Sequence, residues 1–366
     1  MKIVFRADAS IDMGTGHIMR CLTLAEALQK KGVACHFICR EHQGNLLSLI
    51  HDKGFITHAL AQANAEDLNW LVNREGQLLH AAWLGATQQQ DVEQCAAILA
   101  NIQPNWLVVD HYALDINWEL ALSDYYQYLM VIDDLADRHH HCDLLLDQTF
   151  GRDTDAYQSL VPDACTLLCG SQYALLRPEF AGLRSYSLQR RKNPKLAHLL
   201  ITMGGVDKNN ATGQVLAALQ GCGLPEQCRI TVVMGVTAPW IKQVQQQAEL
   251  MPWYTEVKIG VNNMAELMAN SDLAIGAAGA TSWERCCLGL PTIIIVLADN
   301  QKLIASELEA AGAALYVEIQ QIEQQGLAEF VTTFCLFPKK LKNIGKEAAT
   351  ITDGYGVETV LQRMEI

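Results

Sequence analysis

Met13-Gly14-Thr15-Gly16-His17-Ile18-Met19-Arg20 follows the apolar run Ile3-Val4-Phe5 and opens a segment of helical period. Ile18, Cys21, Leu22, Ala25 and Leu28 repeat at the spacing of one helix face, and the pattern stops near Lys31-Gly32. A strand therefore feeds a glycine turn that starts a helix, with His17 in its first turn. Glycines allow close backbone approach to a ligand, and the free N–H groups of a helix N-terminus favour an anion. A neutral imidazole there is a poised base. The turn lacks the third glycine of the dinucleotide fingerprint and the lysine of the phosphate loop. A tight turn whose histidine merely packs is the competing reading, but loops at strand C-termini of α/β proteins are where sites lie.

Outward from this turn, residues 1 to 60 read as a βαβαβ unit: strand Lys2–Phe5, helix His17–Lys31, strand Ala34–Cys39, helix Asn45–Lys53, strand Ile56–Leu60. Gln62–Gln90 is a polar connection. Three further buried-type strands end in polar residues: Trp106–Val109 in Asp110-His111-Tyr112, Leu129–Ile132 in Asp133-Asp134, and Leu144–Leu146 in Asp147. The polar, basic stretch around Arg184–Lys195, containing Pro194, reads as the boundary. The expected division is residues 1–185, a linker at 186–195, residues 196–350, and a helical tail at 351–366. The second half restarts with strand His198–Thr202 and continues with strands at Arg229–Met234, Val257–Ile259, Leu273–Ile275 and Thr292–Leu297. The expected fold is α/β, two doubly wound Rossmann-like domains facing across a cleft.

Two glycine turns carry the second half's chemistry. Met203-Gly204-Gly205 follows one strand; Gly279-Ala280-Thr281-Ser282-Trp283-Glu284 follows another, where Thr281 or Ser282 is expected to cap a helix beginning near Trp283. Such N–H groups suit a diphosphate, and Glu284 suits a ribose. Asn300 and Gln301, at the next helix start, suit sugar hydroxyls or an acetamido group.

With 366 residues, half of them hydrophobic, the chain has room for two ordinary domains. A net charge of −13 leaves no basic surplus for nucleic acid. No charged leader with an apolar core precedes the first strand, and the longest apolar run, Leu288–Ala298, is too short to span a bilayer, so a cytoplasmic location is expected. The twelve cysteines are scattered through apolar segments and read as buried thiols. Cys35/Cys39 and Cys165/Cys169 lack a zinc pattern, and His139-His140-His141 reads as a solvated loop; no metal and no cofactor are expected.

Gly14-Thr15-Gly16-His17-Ile18-Met19-Arg20-Cys21-Leu22, Asp110-His111-Tyr112, Ile132-Asp133-Asp134-Leu135, Tyr173–Phe180, Met203-Gly204-Gly205-x-Asp207 and Ser282-Trp283-Glu284 together resemble the nucleotide-sugar hydrolases of pseudaminic acid biosynthesis. The resemblance spans nearly the whole chain. It implies a GT-B-like fold and metal-independent, inverting hydrolysis of UDP-2,4-diacetamido-2,4,6-trideoxy-β-L-altropyranose to UDP and free sugar, serving surface glycans such as those on flagellin. It also implies that His17 activates water, that Gly279–Glu284 with Asn300 and Gln301 line the UDP-sugar site, and that Asp110, Tyr112 and Asp133 support it, a purely structural role for Asp133 or Asp134 being the competing reading. Gly14, Gly16, Tyr112, Gly204 and Gly205 complete the expected substrate-binding set. Ala280 departs from the paired glycines common in the family. The rival readings are a GT-B glycosyltransferase with a UDP-sugar donor, and a non-catalytic UDP-sugar-binding subunit.

Overall fold

The computed structural model describes residues 1–63, 78–324 and 326–366, without the side chains of residues 300, 323 and 324. Most of the second half of the Gln62–Gln90 connection returns as ordered chain, while residues 64–77 lie outside the described part. The chain divides into two units: Met1–Leu175 with Val357–Ile366, and Leu176–Gly356.

The first unit contains β1 (Lys2–Ala7), β2 (Ala34–Arg40), β3 (Ile56–Leu60), β4 (Trp106–Asp110), β5 (Tyr128–Ile132), β6 (Leu144–Asp147) and β7 (Thr166–Cys169). They form one parallel sheet in the order β3-β2-β1-β4-β5-β6-β7. Both faces of the sheet are covered, which is why its strands read as continuous apolar runs rather than alternating ones. Ile3, Phe5 and Phe37 pack on one face with Ile18, Leu22 and Leu28 of helix Gly16–Lys30. Val4, Ile38 and Val109 pack on the other with Leu99 and Trp118.

The second unit contains β8 (His198–Thr202), β9 (Arg229–Met234), β10 (Tyr254–Ile259), β11 (Leu273–Ala277), β12 (Thr292–Val296) and β13 (Leu315–Glu318), in the parallel order β10-β9-β8-β11-β12-β13. Each sheet thus reverses strand order beside its first strand, at β1/β4 and at β8/β11. Ligand crevices of open α/β sheets form outside the strand C-termini at such points.

The expected boundary is corrected on both sides. Much of the stretch read as a linker belongs to helix Pro178–Arg190, which is part of the second unit. Arg184 within it and Arg191 at its C-cap bind carbonyls at the ends of three helices: Arg184 donates to Cys287, Ala349 and Thr352, and Arg191 donates to Met268, Ser271 and Leu288. Cations favour helix C-termini, so a composition that resembles a solvated linker is here an anchor. The tail is helical, Gly356–Arg363, but returns to the first unit, where Val357, Val360, Leu361 and Met364 join its core.

All twelve cysteines are free, and most are buried. Among the described residues no group of three or more His, Cys, Asp or Glu is placed to hold a metal ion, and no helix is long and apolar enough to cross a membrane. The histidine triplet is only partly a solvated loop: His140 is buried, with Nδ1 2.6 Å from Glu119 Oε1.

Candidate active site

The turn after β1 positions His17. Gly14 has φ +82°, a left-handed conformation that suits glycine, and exchanges backbone hydrogen bonds with Ser10. Gly16 is the first residue of the helix, and Thr15 precedes it without a side-chain cap. His17 is therefore held in the first turn, 7% exposed.

Because β4 lies beside β1, with Ala7 opposite Asp110, the end of β4 brings Asp110 to His17. His17 Nδ1 lies 2.6 Å from Asp110 Oδ1. Arg20, one helical turn after His17, grips the same carboxylate: Nε donates to Oδ2 at 2.6 Å and Nη2 to Oδ1 at 2.7 Å. Burial alone would push the Asp110 pKa up, but Arg20 and His17 outweigh it and hold the group well below the usual carboxylate range. An ionised carboxylate only accepts, so Nδ1 of His17 carries a proton toward Asp110, and in the neutral imidazole Nε2 is the nitrogen with the free lone pair.

The network continues to Asp134, whose Oδ2 accepts from Arg20 Nη1 at 2.5 Å and from the Tyr112 hydroxyl at 2.8 Å. The Tyr112 ring stands edge-on to His17, with centroids 4.6 Å apart. Burial first, then Asp134, keeps this phenol protonated. Tyr112 was expected to bind substrate; its proton is already committed to Asp134, leaving its oxygen as an acceptor. Trp83 stacks beside Tyr112 and His80 lies tilted against it, extending this wall. Neither carries a sequence signal, since both lie in the polar connection.

Asp133 is structural. It accepts from Arg138 and from the Ala136 N–H, and it shares the Tyr157 hydroxyl with Asp147, at 2.9 Å from each carboxylate. One phenol proton cannot serve two carboxylates. Burial and then the charge of Asp134 push Asp147 up from 3.8 to about 6, against the pull of Thr149 and Arg152, so it holds the missing proton only below about pH 6. A raised acid stabilises the fold fully below its unfolded pKa and loses that contribution as pH rises through the folded value. Between about pH 4 and 7 the loss is expected to reach up to about 3 kcal/mol. Asp147→Asn, which imitates the protonated acid, should flatten the dependence in urea melts; an unchanged slope would show that Asp147 titrates normally.

In the second unit, three turns lie at the ends of the neighbouring strands β8, β11 and β12. Gly204 has φ +86°, and the backbone of Gly205 passes so close to Gly235 that a Cβ there would sit 1.9 Å from the Gly205 carbonyl oxygen. Asp207 then accepts from the N–H groups of Ala211 and Thr212, capping the next helix.

The second turn differs from expectation. Its helix is Ala280–Cys287, with Gly279 as N-cap at φ +136°, and no side chain caps it. Thr281 and Ser282 therefore lie inside the first turn. Ser282, expected to touch substrate, is 1% exposed and accepts from Arg285 through Oγ, because its position faces the sheet. Gly279, Ala280 and Thr281 remain accessible, as a backbone anion site requires. Glu284 is mostly buried, 3.7 Å from Arg177 Nη2, and burial pushes it up to about 7 against the pull of Arg177 and Arg285. Gln301 lies in the third turn, and its Oε1 accepts from the Leu297 N–H at 3.0 Å, which leaves its amide as donor. The side chain of Asn300 lies outside the described part.

Comparison with known proteins agrees with this architecture. Residues 198–356 match the glycosyltransferase family 28 C-terminal domain. A UDP-2,4-diacetamido-2,4,6-trideoxy-β-L-altropyranose hydrolase of Campylobacter jejuni is 26% identical over 85% of this chain and 97% of its own length. The crystal structure of Acinetobacter baumannii MurG superposes with TM-score 0.70 at 15% identity, covering 100% of this chain and 99% of its own. The Neisseria meningitidis UDP-GlcNAc 2-epimerase, solved bound to UDP-GlcNAc, superposes at 0.59 with 13% identity, covering 100% of both chains. With two Rossmann-like domains of GT-B type, the chain is similar over most of its length to a UDP-sugar hydrolase and, over residues 198–356, to the C-terminal domain of glycosyltransferase family 28.

Proposed function

We propose that this chain hydrolyses UDP-2,4-diacetamido-2,4,6-trideoxy-β-L-altropyranose at the anomeric carbon, releasing UDP and free sugar for pseudaminic acid biosynthesis in the cytoplasm. The observation that carries the reading is the His17–Asp110 pair, which leaves Nε2 as a proton acceptor. Water attacks the anomeric carbon and gives a proton to Nε2, while the bond from that carbon to the diphosphate oxygen breaks and its electron pair leaves with UDP. Attack opposite the leaving group inverts the anomeric centre. Asp110 orients the imidazole and stabilises the imidazolium that forms. The nucleotide is assigned to the second unit: diphosphate on the uncapped N–H groups at Gly279, with the Gly204-Gly205 turn beside it, and ribose on Glu284. Resemblance to the Campylobacter hydrolase supports the substrate.

Incubation of the purified protein with this UDP-sugar tests the reading. UDP release without an acceptor supports hydrolysis, and release that requires an added acceptor alcohol would indicate the transferase chemistry of the family 28 relatives. Binding without release would indicate a carrier. In ¹⁸O-water the label is expected in the anomeric hydroxyl and not in the nucleotide; label in the nucleotide would place the attack at phosphorus.

The diphosphate charge is assigned to backbone groups, so turnover is expected to persist in saturating EDTA. Loss of turnover restored by Mg²⁺ or Mn²⁺ would overturn that assignment.

A further inference from the structure

Arg285 lies directly under the nucleotide turns of the second unit. Its side chain is 1% exposed. Nη2 donates to the Ala277 carbonyl at 2.7 Å and lies 3.1 Å from Ser282 Oγ, while Nε and Nη1 are buried with no hydrogen-bond partner. The other deeply buried arginines are compensated: Arg6 and Arg40 by Asp91, Arg20 by Asp110, Arg138 by Asp133, and Arg191 by three carbonyls. Among the described residues no carboxylate lies within ion-pair distance of Arg285, and the neighbouring Glu284, itself pushed up to about 7 by burial, compensates its charge only in part. An incompletely compensated buried cation is costly, and a fold retains one where an anion completes it.

The location indicates which anion. A Cβ at Gly276 would lie 2.3 Å from Nη1 and 2.7 Å from the Thr202 carbonyl oxygen, so glycine at 276 makes room for the guanidinium. Gly276 and Thr202 are register partners at the ends of β11 and β8, the strands from which the Gly279 and Gly204-Gly205 turns depart. The cation thus sits at the strand-order reversal, below both turns. Helix Ala280–Cys287 adds its uncapped N-terminus at the same place.

We infer that Arg285 is a built-in buried cation that stabilises the diphosphate of the bound and departing nucleotide through the low-dielectric interior, an inference that rests on the nucleotide assignment above. Arg285 is an electrostatic support and does not touch the reacting atoms. In a water-poor interior a charge acts over the thickness of one turn far more strongly than it would in solvent. Such a residue favours UDP over uridine and costs the ligand-free protein stability. A purely structural arginine does neither.

The test compares UDP and uridine binding by the full chain and by Arg285→Gln and Arg285→Lys. Arg285→Gln is expected to weaken UDP binding about ten- to a hundredfold, the scale of interactions with a charged group, and to leave uridine within about twofold. Arg285→Lys should recover most of the preference for UDP. The ligand-free Arg285→Gln protein should melt no lower than wild type. Equal losses for UDP and uridine, no loss for either, or failure of lysine to restore the preference would overturn the inference. If Arg285→Gln does not fold, the wild type decides: inorganic pyrophosphate should raise its melting temperature more than sodium chloride of equal ionic strength, and equal shifts would overturn the inference. A wild type that binds no UDP overturns the nucleotide assignment itself, whereas UDP binding unaltered by both variants removes only the role of Arg285.

Discussion

Replacing His17 with asparagine or alanine is expected to slow UDP release about 10²- to 10⁴-fold, the usual contribution of a general base, while UDP affinity stays within a few-fold. The split follows from location. His17 belongs to the first unit and has Asp110, Arg20 and Tyr112 as neighbours, whereas nucleotide recognition is assigned to turns of the second unit. Titration with UDP should therefore be nearly unaffected when turnover is almost gone. A rate loss below tenfold at neutral pH would remove His17 as the base. A parallel loss of UDP affinity would mean that it binds nucleotide instead.

Asp110→Asn is expected to cost about as much, although only one oxygen is exchanged for an amide nitrogen. Asp110 Oδ1 accepts from both His17 and Arg20 Nη2, and Oδ2 accepts from Arg20 Nε. The substituted side chain keeps a single acceptor oxygen to serve both His17 and Arg20. If that oxygen stays with Arg20, the amide faces His17 Nδ1 and makes it an acceptor, which moves the imidazole proton to Nε2 and blocks the position that must accept it. Turnover falls about 10²- to 10⁴-fold without a change in UDP binding. Arg20 also loses its buried counter-charge, so a stability loss of about 3 to 5 kcal/mol is expected, moderated by Asp134. The double variant separates the two consequences. If Asp110 acts through His17, then His17→Asn with Asp110→Asn should be no slower than the slower single variant, because one function is removed twice. Losses that multiply would show that Asp110 acts on the reaction independently of the imidazole.

Arg20 ties the His17–Asp110 pair to the rest of the network. Its guanidinium spans Asp110 and Asp134, and Asp134 in turn holds Tyr112 against His17. One cation thereby fixes two acids and, through them, both rings of the site. Lysine, a point charge on a flexible stem, does not reproduce that fork.

Much of this was present in the chain as a string. The β1 turn, its glycines and the helix face that starts at His17 are local patterns, readable because strand and helix periods are imposed by neighbouring residues. The same holds for the glycine turns at Gly204 and Gly279 and for two similarly built sheets. The partners of the site are another matter. His17 meets Asp110 across 93 positions and Arg20 meets Asp134 across 114, contacts that exist because β4 lies beside β1 and β5 beside β4. Ser282 reads as a cap and a ligand group, yet the register of its helix turns it inward to Arg285, whose burial under the turns is set by the fold and not by any local pattern. Arg184 and Arg191 read as linker residues until three helix ends are brought to them, and the last helix reads as a separate tail until the first unit's core closes over Val360 and Leu361. Local periodicity determines which residues form strands and turns; strand order and helix register determine which charges meet, and those are set by the burial of whole sheet faces.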